Sequence, residues 1–241
     1  GDKVTLTKRD DKKIIIESIK SKDELPTNIE TNCASVALNA MLQDLGLDLG
    51  VSIKIEKGIP MSSGMGGSAA SAVAAVVALN GFLETPLETS QLVNYAMVGE
   101  KVASGEMHGD NVVPCLFGGW TVSRDLSLPD IITLPSNGLY SVIVHPEINI
   151  DTRDARALQD VLIERHRAKL VPGFYEVKDA ALKSGAIGAS LSGSGPSVFA
   201  ITSDESQAET IGAQMEQVFK SHNTNSQAWV SQIGAKGASI I

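Results

Sequence analysis

Apolar residues recur along the chain at two different spacings, which divide its first part into strands and helices. Apolar and polar residues alternate at 4–6, an apolar segment follows at 14–16, and the polar residues between them favour a turn, so the pattern predicts a β-hairpin. Helical spacing of apolar positions over 28–45 predicts a helix, because Gly46 follows as a stop signal. Alternation at 51–55 then predicts a further strand.

A glycine-rich segment, 62–68, follows this strand and precedes a helix. Residues 69–83 have the composition of a buried helix, and another helix is predicted over 89–103. A polar connection at 105–111 then leads into an apolar segment that ends in Phe117-Gly118-Gly119-Trp120.

The pattern changes from residue 139 onwards. We predict strands at 140–144, 186–191, 197–202 and 227–232, and helices at 172–183 and 205–220. The order β, α, β, β, α, β is that of a ferredoxin-like split unit. The chain is therefore predicted to be α+β and to form two domains, 1–136 and 137–241.

Composition and charge disfavour several classes of protein. The chain has 241 residues, 43% hydrophobic and 20% charged, which suits one large domain or two small ones. A formal net charge of -8 and scattered Lys and Arg residues give no footprint for nucleic acid or an anionic membrane. The longest apolar run, 69–79, is too short to cross a bilayer, and without an apolar signal segment we expect a cytoplasmic protein. Cys33 and Cys115 are predicted to be reduced, packed thiols.

The glycine-rich segment has the features of a phosphate-binding loop. Backbone N–H groups converge on a phosphate where side chains do not obstruct them, and a following helix adds the partial positive charge of its N-terminus. Residues 63–68 and the Ala-rich helix meet both conditions. The segment is not a Walker A loop, because it does not end in Gly-Lys-Ser/Thr. Its glycines also lack the G-x-G-x-x-G spacing of a dinucleotide-binding loop. From these residues alone, a flexible turn before a core helix remains the alternative.

Three segments, in order along the chain, carry a more specific signal. The first resembles the nucleotide loop of the GHMP kinases, from which it departs at Ser62, Met65 and Gly67: Pro60-Met61-Ser62-Ser63-Gly64-Met65-Gly66-Gly67-Ser68-Ala69-Ala70-Ser71. The second is similar to a segment particular to homoserine kinases: His108-Gly109-Asp110-Asn111-Val112-Val113-Pro114-Cys115-Leu116-Phe117-Gly118-Gly119. The third is similar to the family's C-terminal glycine loop: Leu191-Ser192-Gly193-Ser194-Gly195-Pro196-Ser197. The chain is thereby identified as a member of the homoserine kinase family.

This resemblance implies a fold and an activity. The implied fold has an N-terminal, ribosomal-protein-like α+β domain that binds the nucleotide and a C-terminal ferredoxin-like domain. The implied activity is the ATP-dependent phosphorylation of the L-homoserine side-chain hydroxyl in threonine biosynthesis, with Mg²⁺. The implied partners are ATP and L-homoserine, without nucleic acid or membrane, and a homodimer is left open.

The resemblance also implies roles for individual residues. It assigns ATP binding to Pro60, Met61, Ser62, Ser63, Gly64, Met65, Gly66, Gly67, Ser68 and Ala69, and Mg²⁺ to Ser68 and Glu100. It assigns substrate binding to His108, Asp110, Arg156 and Arg167, and catalysis to Asn111, Asp110 and Arg156. A guanidinium suits the substrate carboxylate because its planar fork binds such a group bidentately. Whether Asp110 acts as a general base stays open. Without the resemblance, Glu100 and the arginines would be interpreted as charges on solvated helix faces.

The chain departs from the family at two places. Homoserine kinases begin with a segment that contributes substrate contacts, whereas this chain opens at Gly1-Asp2. The family also has a helical segment between the positions of Arg156 and Glu164, where only a few residues stand here. We therefore expect the sequence to represent part of a longer chain, with an incomplete substrate pocket.

Three other functions remain as alternatives. One is another GHMP kinase, acting on mevalonate or a sugar, and the second is a catalytically silent GHMP-like metabolite sensor. The third is an RNA-binding module, which the negative net charge disfavours.

Overall fold

The structure, a computed structural model, describes residues 1–105, 107, 109–123, 130–136, 138–148, 167–234 and 236–241. These residues divide into two compact units. Unit 1 contains Gly1–Met61, Gly66–Pro135 and Ala235–Ile241, and unit 2 contains Ser62–Met65 and Ser136–Gly234. The domain limits at 136 and 137 stay a prediction. The units differ from it in placing Ser62–Met65 and Ser136 in unit 2 and Ala235–Ile241 in unit 1.

The sheet of unit 1 has three strands: β1 (Lys3–Arg9), β2 (Ile14–Lys20) and β3 (Gly50–Glu56). The order is β1-β3-β2, with β3 antiparallel to β1 and parallel to β2. The predicted hairpin between the first two strands is therefore wrong. Most side chains of β3 are buried, whereas those of β1 and β2 are half-buried or exposed, so the most buried strand takes the central position.

Four helices are described in unit 1: α1 (Cys33–Asp44), α2 (Gly67–Asn80), α3 (Thr89–Ser104) and α4 (Gly109–Phe117). Helix α1 begins later than predicted because the Asn32 side chain caps it, accepting hydrogen bonds from the N–H groups of Ala34 and Ser35. Helix α2 is the most buried of the four, with Val73, Val76 and Leu79 fully inside the core.

Helix α4 replaces part of the polar connection that the sequence predicts. Because it begins at Gly109, Asp110 and Asn111 lie in its first turn and not in a loop. An aspartate is favourable there, since its charge complements the helix N-terminus. A two-stranded antiparallel ribbon follows, formed by β4 (Trp120–Ser123) and β5 (Ile131–Leu134).

Unit 2 contains an antiparallel sheet of the order β7-β8-β6-β9. Its described elements are β6 (Tyr140–Pro146), α5 (Phe174–Lys183), β7 (Gly188–Leu191), β8 (Val198–Thr202), α6 (Glu205–Ser221) and β9 (Ser226–Gln232). Phe174 of α5 and Phe219 of α6 are buried in one core with Val142 and Val144 of β6. This strand order confirms the predicted ferredoxin-like arrangement.

The helices can also be compared with the thickness of a membrane. A spanning helix needs about 20 apolar residues. The longest described helix, α6, has 17 residues, and none of the described helices is long and apolar enough to span a bilayer.

Candidate nucleotide and substrate site

The first glycine loop, residues 62–68, ends in the first turn of α2. Gly66 is the N-cap of this helix, with a left-handed φ of +70°, and its carbonyl accepts the first helical hydrogen bond, from Ala70 N–H at 3.0 Å. Gly66 has no side chain to cap the first N–H groups of the helix. Because they stand at the start of the helix, the N–H groups of Gly67, Ser68 and Ala69 also have no carbonyl partner within it. Such groups, with the helix dipole, are suited to bind a phosphate.

The 62–65 half of this loop is held by the second glycine loop, residues 192–196. The Ser192 hydroxyl donates to the Gly64 carbonyl at 3.1 Å, and Ser197 N–H donates to the Ser63 carbonyl at 3.3 Å. A Cβ atom on Gly64 would collide with the Ser192 carbonyl and would lie 2.8 Å from that of Gly195. The two glycine loops thus contact each other backbone to backbone, which only a residue without a side chain permits at Gly64.

Asn111 lies against the start of α2. A Cβ atom on Gly66 would be 2.8 Å from Asn111 Oδ1 and 3.0 Å from Asn111 Cγ. Asp110 Oδ1 in turn accepts a hydrogen bond from Asn111 N–H at 3.1 Å, and the Asp110 side chain is exposed. The structure therefore brings the second sequence motif to the first glycine loop. His108, from the same motif, lies outside the described residues.

Glu100, the predicted carboxylate ligand, is a buried residue of α3 with 3% exposure. Its negative charge also acts on Cys33, where the pKa of the thiol is raised to about 11. Burial is the largest cause, the negative charge of Glu100 acts in the same direction, and the positive charge of Lys57 opposes both. Glu100 and Lys57 are thus both close enough to act on one thiol. Lys57 in turn donates to the Gly67 carbonyl in the first turn of α2, where Ser68 lies.

The chemistry of this pair fits a magnesium ion. A hydroxyl oxygen and a carboxylate oxygen are the hard ligands that Mg²⁺ takes, and the ion usually keeps waters and substrate phosphates as its remaining ligands. Among the described residues, no group of three or more His, Cys, Asp or Glu side chains could hold a metal by itself. Ser68 supplies a hydroxyl oxygen and Glu100 a carboxylate oxygen.

Lys57 is a residue at this site that sequence reasoning missed. Its Nζ donates to the Gly67 carbonyl at 2.6 Å and to the Ser71 hydroxyl at 3.0 Å, and it forms an ion pair with Asp2. The sequence feature that could have identified Lys57 is its position directly after β3, the central strand, and ten residues before Gly67. Lys57 lies before the loop in the sequence, so the absence of a lysine from the loop itself gave no indication of it.

The substrate arginines are only partly placed by the structure. Arg167 Nη1 donates to the Gly193 carbonyl at 3.3 Å, so this guanidinium lies at the second glycine loop. Arg156, its predicted partner, lies outside the described residues, as do the neighbouring Arg153 and Arg165.

The two cysteines are free and partly buried. Burial is the largest cause that raises the pKa of Cys33 and the pKa of Cys115, each to about 11. Both thiols are therefore protonated near neutral pH and are poor nucleophiles.

Comparison with known proteins identifies the family to which this chain is related. The profile of the GHMP kinases N terminal domain matches residues 32–119, and that of the GHMP kinases C terminal domain matches 149–221. A homoserine kinase from Xylella fastidiosa is 38% identical over 279 aligned positions, which cover 100% of this chain and 86% of that protein. The crystal structure of homoserine kinase from Cytophaga hutchinsonii has 36% identity and a TM-score of 0.93, covering 98% of this chain and 87% of that one. A mevalonate kinase from Methanococcus jannaschii, at 14% identity and a TM-score of 0.68 over 96% of this chain and 88% of that one, shares the fold. The predicted two-domain fold is confirmed.

Proposed function

Because the chain belongs to the homoserine kinase family of the GHMP kinases, we propose that it transfers the γ-phosphoryl group of ATP to the side-chain hydroxyl of L-homoserine, yielding O-phospho-L-homoserine for threonine biosynthesis. One observation carries this proposal. The Asn111 side chain packs against Gly66, so a residue of the family's substrate motif stands beside the loop that suits a phosphate. Phosphoryl transfer depends mainly on such positioning and on electrostatic stabilisation.

The nucleotide is proposed to bind along residues 60–69. The N–H groups at the start of α2 would receive its phosphate oxygens, and the small side chains of this segment leave them accessible. The second glycine loop holds Gly64 in place, which reduces the reorganisation needed on binding.

Ser68 and Glu100 are proposed to hold Mg²⁺. When bound, the metal would neutralise the charge on the β- and γ-phosphate oxygens. Glu100 would contribute a carboxylate, a hard oxygen ligand, from a buried position on α3. Ser68 contributes a short hydroxyl in the first turn of α2, directly beside the N–H groups.

The amino-acid substrate is proposed to be held by charge complementarity. Asp110 and His108 would bind its amino end, and Arg156 and Arg167 its carboxylate, since a guanidinium forms two parallel hydrogen bonds to such a group. Asn111 would lie near the reacting hydroxyl. Asn111, Asp110 and Arg156 form the proposed catalytic set. The main role proposed for Asp110 within it is to bind the substrate.

The test is a coupled ADP-release assay on the purified full-length protein with homoserine, mevalonate, galactose and shikimate as separate acceptors. Homoserine should exceed the others in kcat/KM by roughly a hundredfold or more, because acceptors without an ammonium group would leave Asp110 without its proposed partner. A preference for mevalonate or galactose would indicate the alternative kinases. ATP binding without ADP release from any acceptor would indicate the silent sensor.

Two further expectations remain predictions. A cytoplasmic location is expected for a biosynthetic kinase and is tested by fractionation of the source cells. A homodimer is tested by light scattering of the purified protein.

A further inference from the structure

A buried ion pair lies beneath the first glycine loop. Lys57 and Asp2 form it, and their side chains are only 5% and 0% exposed. Both belong to unit 1, as does the first turn of α2. Burial of two charges is unfavourable unless additional hydrogen bonds satisfy them, so their bonding partners show what the pair is placed to hold.

Asp2 is satisfied by groups on two elements. Its Oδ1 accepts from the N–H groups of Gly58 at 3.0 Å and Ile59 at 3.2 Å, which follow the end of β3. Its Oδ2 accepts from the Ser71 hydroxyl in α2 at 2.6 Å. Asp2 therefore joins the end of the central strand to the helix.

Lys57 makes the connection to the loop itself. Its Nζ donates to the Gly67 carbonyl at 2.6 Å and to the Ser71 hydroxyl at 3.0 Å. A peptide unit is planar, with its C=O and its N–H pointing in opposite directions. The bond to the Gly67 carbonyl therefore also fixes the direction of the Ser68 N–H, one of the groups proposed to receive phosphate.

We infer that Lys57 is a positioning residue for the nucleotide, acting through the Gly67–Ser68 peptide; this inference rests on the proposed function. Its position differs from that of a Walker A lysine, because Nζ is buried under the loop and bonds to the protein backbone. A neutral side chain of similar length would fill the space but would release the peptide.

The experiment compares three proteins: the full-length parent, the double variant Lys57→Met with Asp2→Asn, and the control Lys54→Met. The double variant removes both charges together, so no uncompensated charge stays buried, and the new amide keeps an oxygen for the Gly58 and Ile59 N–H groups. Lys54 lies on β3, 49% exposed and paired with Glu17 at 2.9 Å, so it controls for the loss of a lysine. Folding is checked by thermal unfolding, ATP affinity by calorimetry with Mg²⁺, and the KM for homoserine by ADP release.

The double variant should stay folded and bind ATP about tenfold more weakly, the loss expected for a charged hydrogen bond, while its KM for homoserine stays within about twofold. Lys54→Met should match the parent in both. A folded double variant with parental ATP affinity, or one in which both constants rise equally as from general loosening, would overturn the inference. A parent that binds no ATP would overturn the proposed function, and with it this role for Lys57.

Discussion

The two glycine loops have nearly the same composition but different surroundings. Each is a short run of glycine and serine with left-handed glycines, Gly64 and Gly66 in the first and Gly193 and Gly195 in the second. The first loop continues into a helix, α2, whereas the second continues into a strand, β8. Because a helix start offers N–H groups without backbone partners, we expect the element that follows, and not the glycines alone, to determine which loop binds phosphate.

The hydrogen bonds agree with this difference. In the second loop, Ser192 N–H donates to the Ser197 carbonyl and Gly195 N–H to the Ser192 carbonyl, both at 2.8 Å. The Ser192 hydroxyl donates to Gly64 of the first loop. The second loop thus forms hydrogen bonds within itself and to the first, so we propose a binding role for the first and a supporting role for the second.

The largest effect is expected at the metal that serves the first loop. Glu100→Gln should keep the fold but remove a charged ligand, so turnover should fall by roughly two to three orders of magnitude. Steady-state kinetics at saturating Mg²⁺ measure this, with the exposed Glu84→Gln as the matched control. If Glu100→Gln stayed within a few fold of the parent, the metal would have to bind elsewhere.

The next largest effect is expected inside the first loop. Gly66→Val would put a branched side chain at a φ of +70° and against the Asn111 amide, so it should crowd the phosphate cradle. ATP affinity should weaken by about a hundredfold, as roughly two charged hydrogen bonds are lost. Nucleotide titration of the folded variant measures this, and unchanged affinity would remove the loop from the ATP site.

A smaller effect, on the other substrate, is expected next to the second loop. Arg167→Lys keeps the charge but loses the bidentate geometry, so the KM for homoserine should rise about tenfold while the KM for ATP stays near the parent value. Arg165→Lys serves as the control. A larger effect from Arg165 than from Arg167 would contradict the assignment of the carboxylate.

The smallest effect is expected from the contact between the loops. Ser192→Ala removes one neutral hydrogen bond to the Gly64 carbonyl, worth about 1 kcal/mol, so ATP affinity should weaken by about fivefold. Calorimetry under the same conditions compares the loss of ATP affinity in Ser192→Ala, which affects the supporting loop, with the loss in Gly66→Val, which affects the binding loop. Equal losses in the two variants would mean that the second loop also binds phosphate.

The sequence predicted most elements correctly where periodicity is local. The strands and helices of unit 2 follow from alternating and helical spacing, and the β-α-β-β-α-β order then defines the sheet. The hairpin at the start failed because β3, which follows β2 only after helix α1, enters between β1 and β2. Such pairing depends on which strand is buried in the folded unit, and spacing within a short segment does not contain that information.

The candidate site shows the same limit. Its loops were recognised as sequence motifs because their residues are contiguous, and the structure then brought Asn111 to Gly66. Lys57 was missed because its bond to Gly67 joins two different elements. The first turn of α4 was predicted as part of a polar connection because the residues around Asp110 are polar, although an aspartate in a first helical turn is favourable.

The most direct measurement is a crystal structure of the full-length protein with a non-hydrolysable ATP analogue, Mg²⁺ and homoserine. The phosphates should lie on the N–H groups of Gly67, Ser68 and Ala69, with the metal between Ser68 and Glu100 and with Asn111 beside the γ-phosphate. A triphosphate held by the second glycine loop, or bound away from the start of α2, would contradict the division between a binding loop and a supporting loop.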